Sequence, residues 1–255
     1  MPILELVGVR KQFGELVAVD NMDLTIEEGE LRGLIGPNGS GKTTLFNLIS
    51  GFFPVTSGKV IWQGEDITDD KAHVIVGKGL ARTFQLTTLY KDITVLKNVI
   101  IACHLHVGMG IFQQVLMTAK TRRKEKAIEE KALGLLEAMD IVHVKDEIAG
   151  DLPHGHQRSL GIAIALATEP KLLLLDEPVT GMNPTETEVM MEKIKKLRDR
   201  GITILIVEHD MKAVMSTCEK ITAMNFGKKI TEGTPEEVSS HEEVIKAYLG
   251  GGEYA

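Results

Sequence analysis

Apolar and polar residues alternate along the first part of the chain in the pattern of half-buried β-strands. Met22, Leu24 and Ile26 are apolar, and Asp23 and Thr25 between them are polar. Because successive side chains of a strand point to opposite faces, this spacing predicts a strand with one buried face. The first 35 residues are predicted to be strands, and further strands are predicted at residues 60–64 and 80–85.

The middle of the chain has the spacing of an amphipathic helix. From Thr121 onward, apolar residues recur three or four positions apart, at Ile128, Ala132, Leu135, Leu136 and Met139. Such residues form one face of a helix. Between Arg122 and Lys131 the other faces are densely charged. We interpret that charge run as a solvated helix face, with a partner-docking surface as the alternative.

The last third alternates short apolar runs with helical patterns, which predicts a parallel sheet. The runs at 172–175 and 202–207 are wholly apolar or nearly so, as in strands that are buried on both faces. The residues at 183–186, Asn-Pro-Thr-Glu, offer an N-cap, Pro at N1 and Glu at N3 of a helix that Gly201 ends. The similar residues at 234–237 start a C-terminal helical tail.

The residues at 31–35, which end in the short apolar run Leu34 and Ile35, lead into a phosphate-binding motif. Its residues are Gly36, Pro37, Asn38, Gly39, Ser40, Gly41, Lys42, Thr43 and Thr44, here called the phosphate loop. They contain the spacing G-x-x-x-x-G-K-[ST] between a strand and a helix, the context that this motif requires. Glycines let backbone N–H groups point at phosphate oxygens, and the helix start adds its positive dipole end. Lys42 is expected to reach the β- and γ-phosphates of a nucleotide, and Thr43 to ligate Mg²⁺.

Composition narrows the class of protein. The chain has 255 residues, a net charge of −7 and 43% hydrophobic residues, which is ordinary for a soluble globular protein and gives no global attraction to nucleic acid. The two cysteines, Cys103 and Cys218, are expected to be reduced thiols. Cys103, His104 and His106 are expected to serve packing, since a zinc site needs about four ligands. No signal peptide or membrane span is predicted, so a membrane role would come through a partner.

Two further strand ends carry candidate catalytic groups. The strand at 172–175 ends in Asp176 and Glu177, the form of a Walker B strand. Asp176 is expected to hold Mg²⁺, and Glu177 to act as general base on the attacking water. His209 follows the next strand and is placed to donate a hydrogen bond to the γ-phosphate. Gln85 is a candidate to ligate Mg²⁺ and orient the water, although a lone Gln is normally a surface residue.

The order of these motifs resembles that of an ABC transporter ATP-binding subunit over nearly the whole chain. The phosphate loop is followed by Gln85, the segment 152–158 (Leu-Pro-His-Gly-His-Gln-Arg), the Walker B strand and His209. The residues at 81–85 (Ala-Arg-Thr-Phe-Gln), 181–187 (Gly-Met-Asn-Pro-Thr-Glu-Thr) and 244–250 (Val-Ile-Lys-Ala-Tyr-Leu-Gly) resemble the branched-chain amino acid (Liv-type) importers. So does an extra segment after Gln85, at roughly 103–123.

The resemblance implies an α/β fold of the P-loop ABC-ATPase type. We expect a mostly parallel sheet core, an antiparallel β subdomain and an inserted α-helical subdomain. Residues 1–88 and 158–234 would form the core with its β subdomain, and residues 89–157 the helical subdomain that carries the signature segment. Residues 235–255 would form a C-terminal helical tail.

The resemblance also implies how ATP is held. Phe13 would stack on adenine, with an ordinary strand-end aromatic as the alternative. Two copies of the chain, or this chain and a related ATPase, would face head to tail. Each ATP would lie between the phosphate loop of one chain and the segment Gly155, His156 and Gln157 of the other, where a helix start makes a second anion site. Gln85 and the residues after it would sense transmembrane permease subunits at the cytoplasmic face of the inner membrane.

One residue departs from the family pattern. The signature usually has Ser at the position of Pro153, which has neither a hydroxyl nor an N–H. A hydrogen bond to a charged group contributes roughly 1.5–3 kcal/mol, so we expect a weaker nucleotide sandwich than in relatives with Ser. His154 and His156 are the candidates to compensate.

Together these features predict an ATPase that powers the import of branched-chain amino acids. Urea, short amides or exported lipopolysaccharide are alternative cargoes, because cargo does not touch this subunit. A soluble ABC ATPase acting on nucleic acid or ribosomes is less compatible with a single phosphate loop and an acidic charge balance, and no nucleic-acid partner is expected. A non-catalytic nucleotide switch is disfavoured by Glu177 and His209.

Overall fold

The computed structural model describes residues 1–83, 89–107 and 119–249. Contacts divide the chain into two compact units, of which the first contains residues 1–82 and 171–255 and the second residues 83–170. The division predicted from the sequence, with boundaries at 88/89, 157/158 and 234/235, stays a prediction.

The first unit contains the strands of two sheets. These are β1 (Pro2–Phe13), β2 (Leu16–Glu27), β3 (Leu31–Ile35), β4 (Ser57–Trp62), β5 (Glu65–Asp66), β6 (Leu80–Arg82), β7 (Leu172–Asp176), β8 (Thr203–Val207), β9 (Lys220–Asn225) and β10 (Lys228–Gly233). One sheet is antiparallel, in the order β2-β1-β4-β5. The alternation of buried and exposed residues in β2 confirms the half-buried strand predicted there.

The second sheet has the order β10-β9-β3-β8-β7-β6. Its neighbours are parallel except for the antiparallel hairpin of β9 and β10. Every residue of β3, β7 and β8 is buried, which is expected for parallel strands covered on both faces. The carboxyl ends of β3, β7 and β8 therefore lie next to one another at one sheet edge, where ligands of such sheets bind.

The described residues form α-helices in both units. They are α1 (Lys42–Ile49), α2 (Ala72–Gly77), α3 (Val95–Val107), α4 (Ala119–Ala138), α5 (His154–Leu166), α6 (Pro184–Asp199), α7 (Met211–Thr217), α8 (Pro235–Ser239) and α9 (Glu242–Leu249). Asn183 and Thr234 cap α6 and α8 in complete capping boxes with Glu186 and Glu237, as the sequence predicts. Among the described residues, none of the helices is long and apolar enough to cross a membrane.

One hydrophobic core fixes the start of α1. Leu45, Phe46 and Ile49 of α1 are fully buried in a cluster that includes Met22 of β2 and Leu174 of β7. The cluster thus contains residues of both sheets and of α1. Because packed interiors resist displacement, this core holds the first turn of α1 at the carboxyl edge of the six-stranded sheet.

The second unit is helical, and α3, α4 and α5 pack on one another. Ile128, Ala132 and Leu136 of α4 are buried, while residues 122–127 are exposed, which confirms the predicted amphipathic helix and its solvated charged face. Cys103 is fully buried, and the described residues contain no group of three or more His, Cys, Asp or Glu side chains suited to a metal ion. The side chain of His106 lies outside the described residues.

Candidate active site

Two glycines of the phosphate loop are required by close backbone approach. A Cβ on Gly36 would lie 2.2 Å from the carbonyl oxygen of Met224, and a Cβ on Gly41 would lie 2.4 Å from that of Ala18. Gly41 also has φ of +103°, which side chains disfavour. The loop backbone therefore packs closely against β9 and β2, and these contacts leave no room for a side chain at Gly36 or Gly41.

The start of α1 is open to an anion. Gly41 is the N-cap residue and supplies no side-chain hydrogen bond, so the first N–H groups of α1 have no capping partner there. The Lys42 ammonium donates to the carbonyl oxygens of Gly36 (2.7 Å) and Pro37 (3.1 Å). Burial lowers the pKa of Lys42, and the carboxylates of Glu177 and Asp176 oppose that shift. A cation and a helix N-terminus at one place suit a phosphate group.

The buried hydroxyl of Ser40 is a second indication that the loop binds a polar ligand. Its side chain is 1% exposed, and its Oγ has no hydrogen-bond partner among the described residues. A buried hydroxyl without a partner costs free energy, so a partner is expected. A phosphate oxygen held in the loop would supply one.

Glu177 and His209 form the reactive pair of the site. Glu177 Oε1 lies 2.7 Å from His209 Nε2, and Glu177 Oε2 accepts from the Thr180 hydroxyl at 3.3 Å. Glu177 has φ of +50°, an uncommon conformation for a residue other than glycine. Its amide donates to the carbonyl oxygen of Val207 at 2.9 Å, which ties this turn to β8. Strained backbone at a partly buried carboxylate is typical of functional positions.

Glu208 supports this pair and was not singled out by sequence reasoning. It is 1% exposed and accepts the backbone N–H groups of Val179 (2.7 Å) and His209 (3.0 Å). Burial raises the pKa of Glu208, and these hydrogen bonds oppose the shift. One buried carboxylate thus joins the loop after β7 to the loop after β8. Its position directly before His209 was the only signal in the sequence.

Asp176 has a partner that the sequence did not reveal. The Arg82 guanidinium donates to Asp176 Oδ2 at 2.7 Å, and their side chains are 7% and 8% exposed. Arg82 also donates to Asn47 Oδ1 at 2.6 Å. The carboxylate at the end of β7 is therefore oriented by a cation from β6 and, through it, by α1.

Replacing Arg82 with Met is expected to lower the free energy of unfolding by about 3 kcal/mol, because the buried Asp176 carboxylate would lose the guanidinium that donates to it. Urea denaturation measures the change. Arg10→Met is the matched control, since the Arg10 ion pair with Asp20 is partly exposed and such pairs contribute little. Equal effects of the two substitutions would contradict a structural role of the buried pair.

The donor groups present fit a magnesium ion bound together with phosphates. Thr43 is exposed at the first turn of α1, and Asp176 directly precedes Glu177 at the sheet edge. Mg²⁺ prefers oxygen ligands and usually retains water and substrate phosphates rather than an all-protein cage. The Thr43 hydroxyl and the Asp176 carboxylate, next to a phosphate loop, match this ligand preference of Mg²⁺. Gln85, the third predicted ligand, lies outside the described residues.

A cavity of about 380 Å³, a size typical of small-molecule sites, lies beside the phosphate loop, Glu177 and His209. It is lined by Leu16, Val17, Ala18, Asn38, Gly39, Ser40, Gly41, Lys42, Thr43, Thr44, Glu177, His209, Phe226 and Gly227. The structure thus brings together most of the phosphate loop, Glu177 and His209. No sequence pattern indicated that Phe226 would line this cavity.

Phe13 lies in a small aromatic cluster outside this lining. Its ring meets the Phe53 ring edge-on, with centroids 5.5 Å apart, and the Lys11 ammonium lies 4.8 Å from its centroid. Lys11 also donates to the carbonyl oxygen of Pro54 at 2.6 Å. The predicted stacking of Phe13 on adenine stays a prediction.

The signature segment begins α5 in the second unit. Pro153 is the N-cap residue and provides no side-chain hydrogen bond, while Gly155, His156 and Gln157 lie in the first turn. The Gln157 amide donates to the carbonyl oxygens of Leu152 (2.8 Å) and Gly150 (3.3 Å), which fixes the approach to the helix. The first N–H groups of α5 therefore have no side-chain cap, as an anion site at a helix start requires.

Known proteins are similar to this chain over nearly its whole length. A family model described as ABC transporter matches residues 19–180, and one described as branched-chain amino acid ATP-binding cassette transporter matches residues 228–254. The high-affinity branched-chain amino acid transport ATP-binding protein BraF of Pseudomonas aeruginosa is 41% identical over 250 residues, with 98% of each chain covered.

Solved structures agree with this similarity. The ADP conformation of MJ1267, an ATP-binding cassette of an ABC transporter, superposes with a TM-score of 0.86 at 32% identity, covering 98% of this chain and 99% of its own. A dimeric post-hydrolysis state of the cassette MJ0796, bound to ADP and Pi, superposes with a TM-score of 0.75 at 26% identity, covering 91% and 98%.

Proposed function

This chain belongs to the ATP-binding subunits of ABC transporters, and we propose from that membership that it hydrolyses ATP to power the import of branched-chain amino acids through separate membrane subunits. The family resemblance and the P-loop ABC-ATPase fold predicted from the sequence are confirmed. The observation that carries the catalytic proposal is the pair of Glu177 and His209, 2.7 Å apart, lining one cavity with the phosphate loop.

Each residue has a role that its position supports. Glu177 takes a proton from the attacking water, since its carboxylate is held by His209 and Thr180 at the cavity. Lys42 and the N–H groups at the start of α1 stabilise the negative charge on the transferred phosphoryl group. His209 orients the Glu177 carboxylate and donates to the γ-phosphate. Gln85 is the proposed residue that positions the water.

Thr43, Asp176 and Gln85 are the proposed ligands of Mg²⁺. When bound, the ion neutralises charge on the β- and γ-phosphates. Arg82 orients Asp176 for this role, and Glu208 fixes the two loops that hold Glu177 and His209.

The catalytic unit is proposed to be a dimer, formed by two copies or by this chain and a related ATPase. The dimeric MJ0796 cassette supports this arrangement. Gly155, His156 and Gln157 of one chain would close the ATP site of the other, with the uncapped start of α5 facing phosphate. Permease subunits at the cytoplasmic face of the membrane would change conformation as this dimer opens and closes.

Branched-chain amino acids are the proposed cargo because two similarities point to them. The first is the full-length similarity to BraF, whose name states that cargo, and the second is the matching C-terminal family model. Urea, short amides and lipopolysaccharide are the competing cargoes, since the cargo does not touch this subunit.

Pro153 stands where the signature segment of the family usually has Ser, and this difference is expected to weaken ATP-dependent dimerisation. Pro153→Ser is expected to lower the ATP concentration for half-maximal dimerisation about tenfold, since the new hydroxyl adds a hydrogen bond to a charged phosphate. Light scattering in a Glu177→Gln background, which slows turnover, measures this concentration. Pro153→Ala is the matched control, because it restores the backbone N–H without the hydroxyl. An unchanged concentration for Pro153→Ser, or equal effects of both variants, would contradict the expectation.

Co-purification tests the assembly. The tagged chain would be recovered from its native cell in mild detergent and its partners identified. We expect two distinct polytopic membrane subunits and a second, related ATPase. Recovery with export-type membrane subunits would contradict the proposed import of amino acids. Recovery with ribosomes or nucleic acid would contradict the transporter assignment as a whole.

A further inference from the structure

The C-terminal helix α9 contains part of the sequence that resembles the branched-chain amino acid importers, and none of the catalytic roles proposed above lies on it. It packs on α8 and on β10 of the first unit. Val244 is 3% exposed, and Tyr248 lies four residues further on the same face of the helix. Glu242 and Lys246 form an exposed ion pair on another face. The face with Val244 and Tyr248 therefore packs on the protein, and the charged residues face solvent.

The Tyr248 side chain reaches the first residue of the phosphate loop. Its hydroxyl oxygen is buried and lies at the backbone N–H of Gly36. Burial raises the pKa of Tyr248, and this N–H opposes the shift because it stabilises the phenolate. Among the described residues the hydroxyl makes no well-aligned hydrogen bond, so the Gly36 N–H is the polar contact left to it there.

Gly36 also holds the lysine of the phosphate loop. Its carbonyl oxygen accepts from the Lys42 ammonium at 2.7 Å. On its other side Gly36 packs closely against β9, since a Cβ there would lie 2.2 Å from the carbonyl oxygen of Met224. The N–H and the carbonyl belong to one residue with only two soft dihedral angles, so a contact that fixes the N–H also limits the direction of the carbonyl. Tyr248 and Lys42 thus meet at opposite ends of the same residue.

Packing alone does not account for a tyrosine at position 248. A phenylalanine ring would fill the same space without a buried hydroxyl. An oxygen removed from water costs free energy unless it has a polar partner, and the Gly36 N–H offsets that cost. The hydroxyl therefore indicates a contact with the phosphate loop in addition to the packing of α9.

We propose that Tyr248 is a positioning residue of the nucleotide site, which holds Gly36 and through it sets the place of Lys42. The inference rests on the nucleotide binding proposed above, and it adds the C-terminal helix to the parts of the chain that determine affinity. Tyr248 acts without touching the nucleotide. ATP and inorganic tripolyphosphate should therefore be affected alike, because both present phosphate oxygens to the same loop.

Tyr248→Phe tests the proposal, because it removes the hydroxyl and keeps the packing of the ring. The dissociation constants of ATP and of inorganic tripolyphosphate would be measured by calorimetry with the full chain. We expect both ligands to bind about fivefold more weakly, in the range of one lost hydrogen bond. Turnover at saturating ATP should stay within about twofold of the wild type, since Glu177 and His209 are unchanged. Tyr90→Phe is the matched control, because Tyr90 is 57% exposed in the second unit, and it should change neither constant.

Three results would overturn the inference. If Tyr248→Phe binds both ligands like the control while Lys42→Ala loses ATP binding, nucleotide binding stands and Tyr248 has no part in it. Slower turnover at saturating ATP with unchanged affinity would place Tyr248 in the chemical step instead. Weaker binding of ATP alone would place its effect on the base or sugar rather than on the phosphate loop. Failure of the wild-type chain to bind either ligand would overturn the proposed nucleotide binding as well.

Discussion

Glu177→Gln is expected to lower the rate of ATP turnover about 10²–10⁴-fold, the usual contribution of a general base. The substitution keeps size and shape and retains an oxygen that can accept from His209 Nε2, which lies 2.7 Å from the present carboxylate. It removes only the ability to take a proton from water. ATP affinity should therefore remain within about twofold of the wild type, because binding depends on the phosphate loop. Phosphate release and nucleotide titration measure the two quantities.

Glu188→Gln is the matched control for this substitution, since Glu188 is exposed on α6 and does not line the cavity. It should leave turnover unchanged. In the variant at Glu177, slow turnover should also trap the ATP-bound dimer. Near-normal turnover of Glu177→Gln would remove Glu177 from its proposed role.

Lys42→Ala is expected to weaken ATP binding by about 10²–10⁴-fold. The ammonium would make hydrogen bonds to charged phosphate oxygens, each contributing roughly 1.5–3 kcal/mol, and the variant loses two of them. Lys42 is 5% exposed, so water cannot easily take the place of the lost contacts. Calorimetry with ATP measures the affinity, and circular dichroism confirms that the fold is retained.

Two variants make the test of Lys42 specific. Lys42→Met keeps most of the side-chain length and should lose as much affinity as Lys42→Ala, because the charge rather than the packing binds phosphate. Lys196→Ala, on the exposed face of α6, should bind ATP like the wild type. Wild-type affinity in Lys42→Met would contradict the phosphate contact.

Local patterns in the sequence predicted the parts of the site that lie on single elements. The wholly apolar run before Asp176 is a fully buried strand, and the phosphate loop does join β3 to α1. Asn183 and Thr234 cap their helices as their spacing predicts. In each case the signal extends over a few residues, so neighbouring positions in the sequence suffice to read it.

Contacts between distant parts of the chain were not predictable in this way. Arg82 and Asp176 are 94 positions apart, and nothing near either residue marks it as half of a buried pair. Glu208 looks like an ordinary acidic strand end until its acceptance of the Val179 amide is seen. Phe226 lines the cavity only because the hairpin of β9 and β10 carries it there. These features depend on tertiary packing, which local sequence does not encode.

The most direct test of the central claim is ATP-dependent uptake of radiolabelled leucine. Native cells lacking this chain would be complemented with the wild type or with Glu177→Gln, and initial uptake rates compared at equal expression. We predict that the wild type restores uptake and that the variant does not, because its ATP is bound but hardly hydrolysed. Uptake of leucine that is equal with and without the chain, or equal with wild type and variant, would contradict an ATPase that drives branched-chain amino acid import.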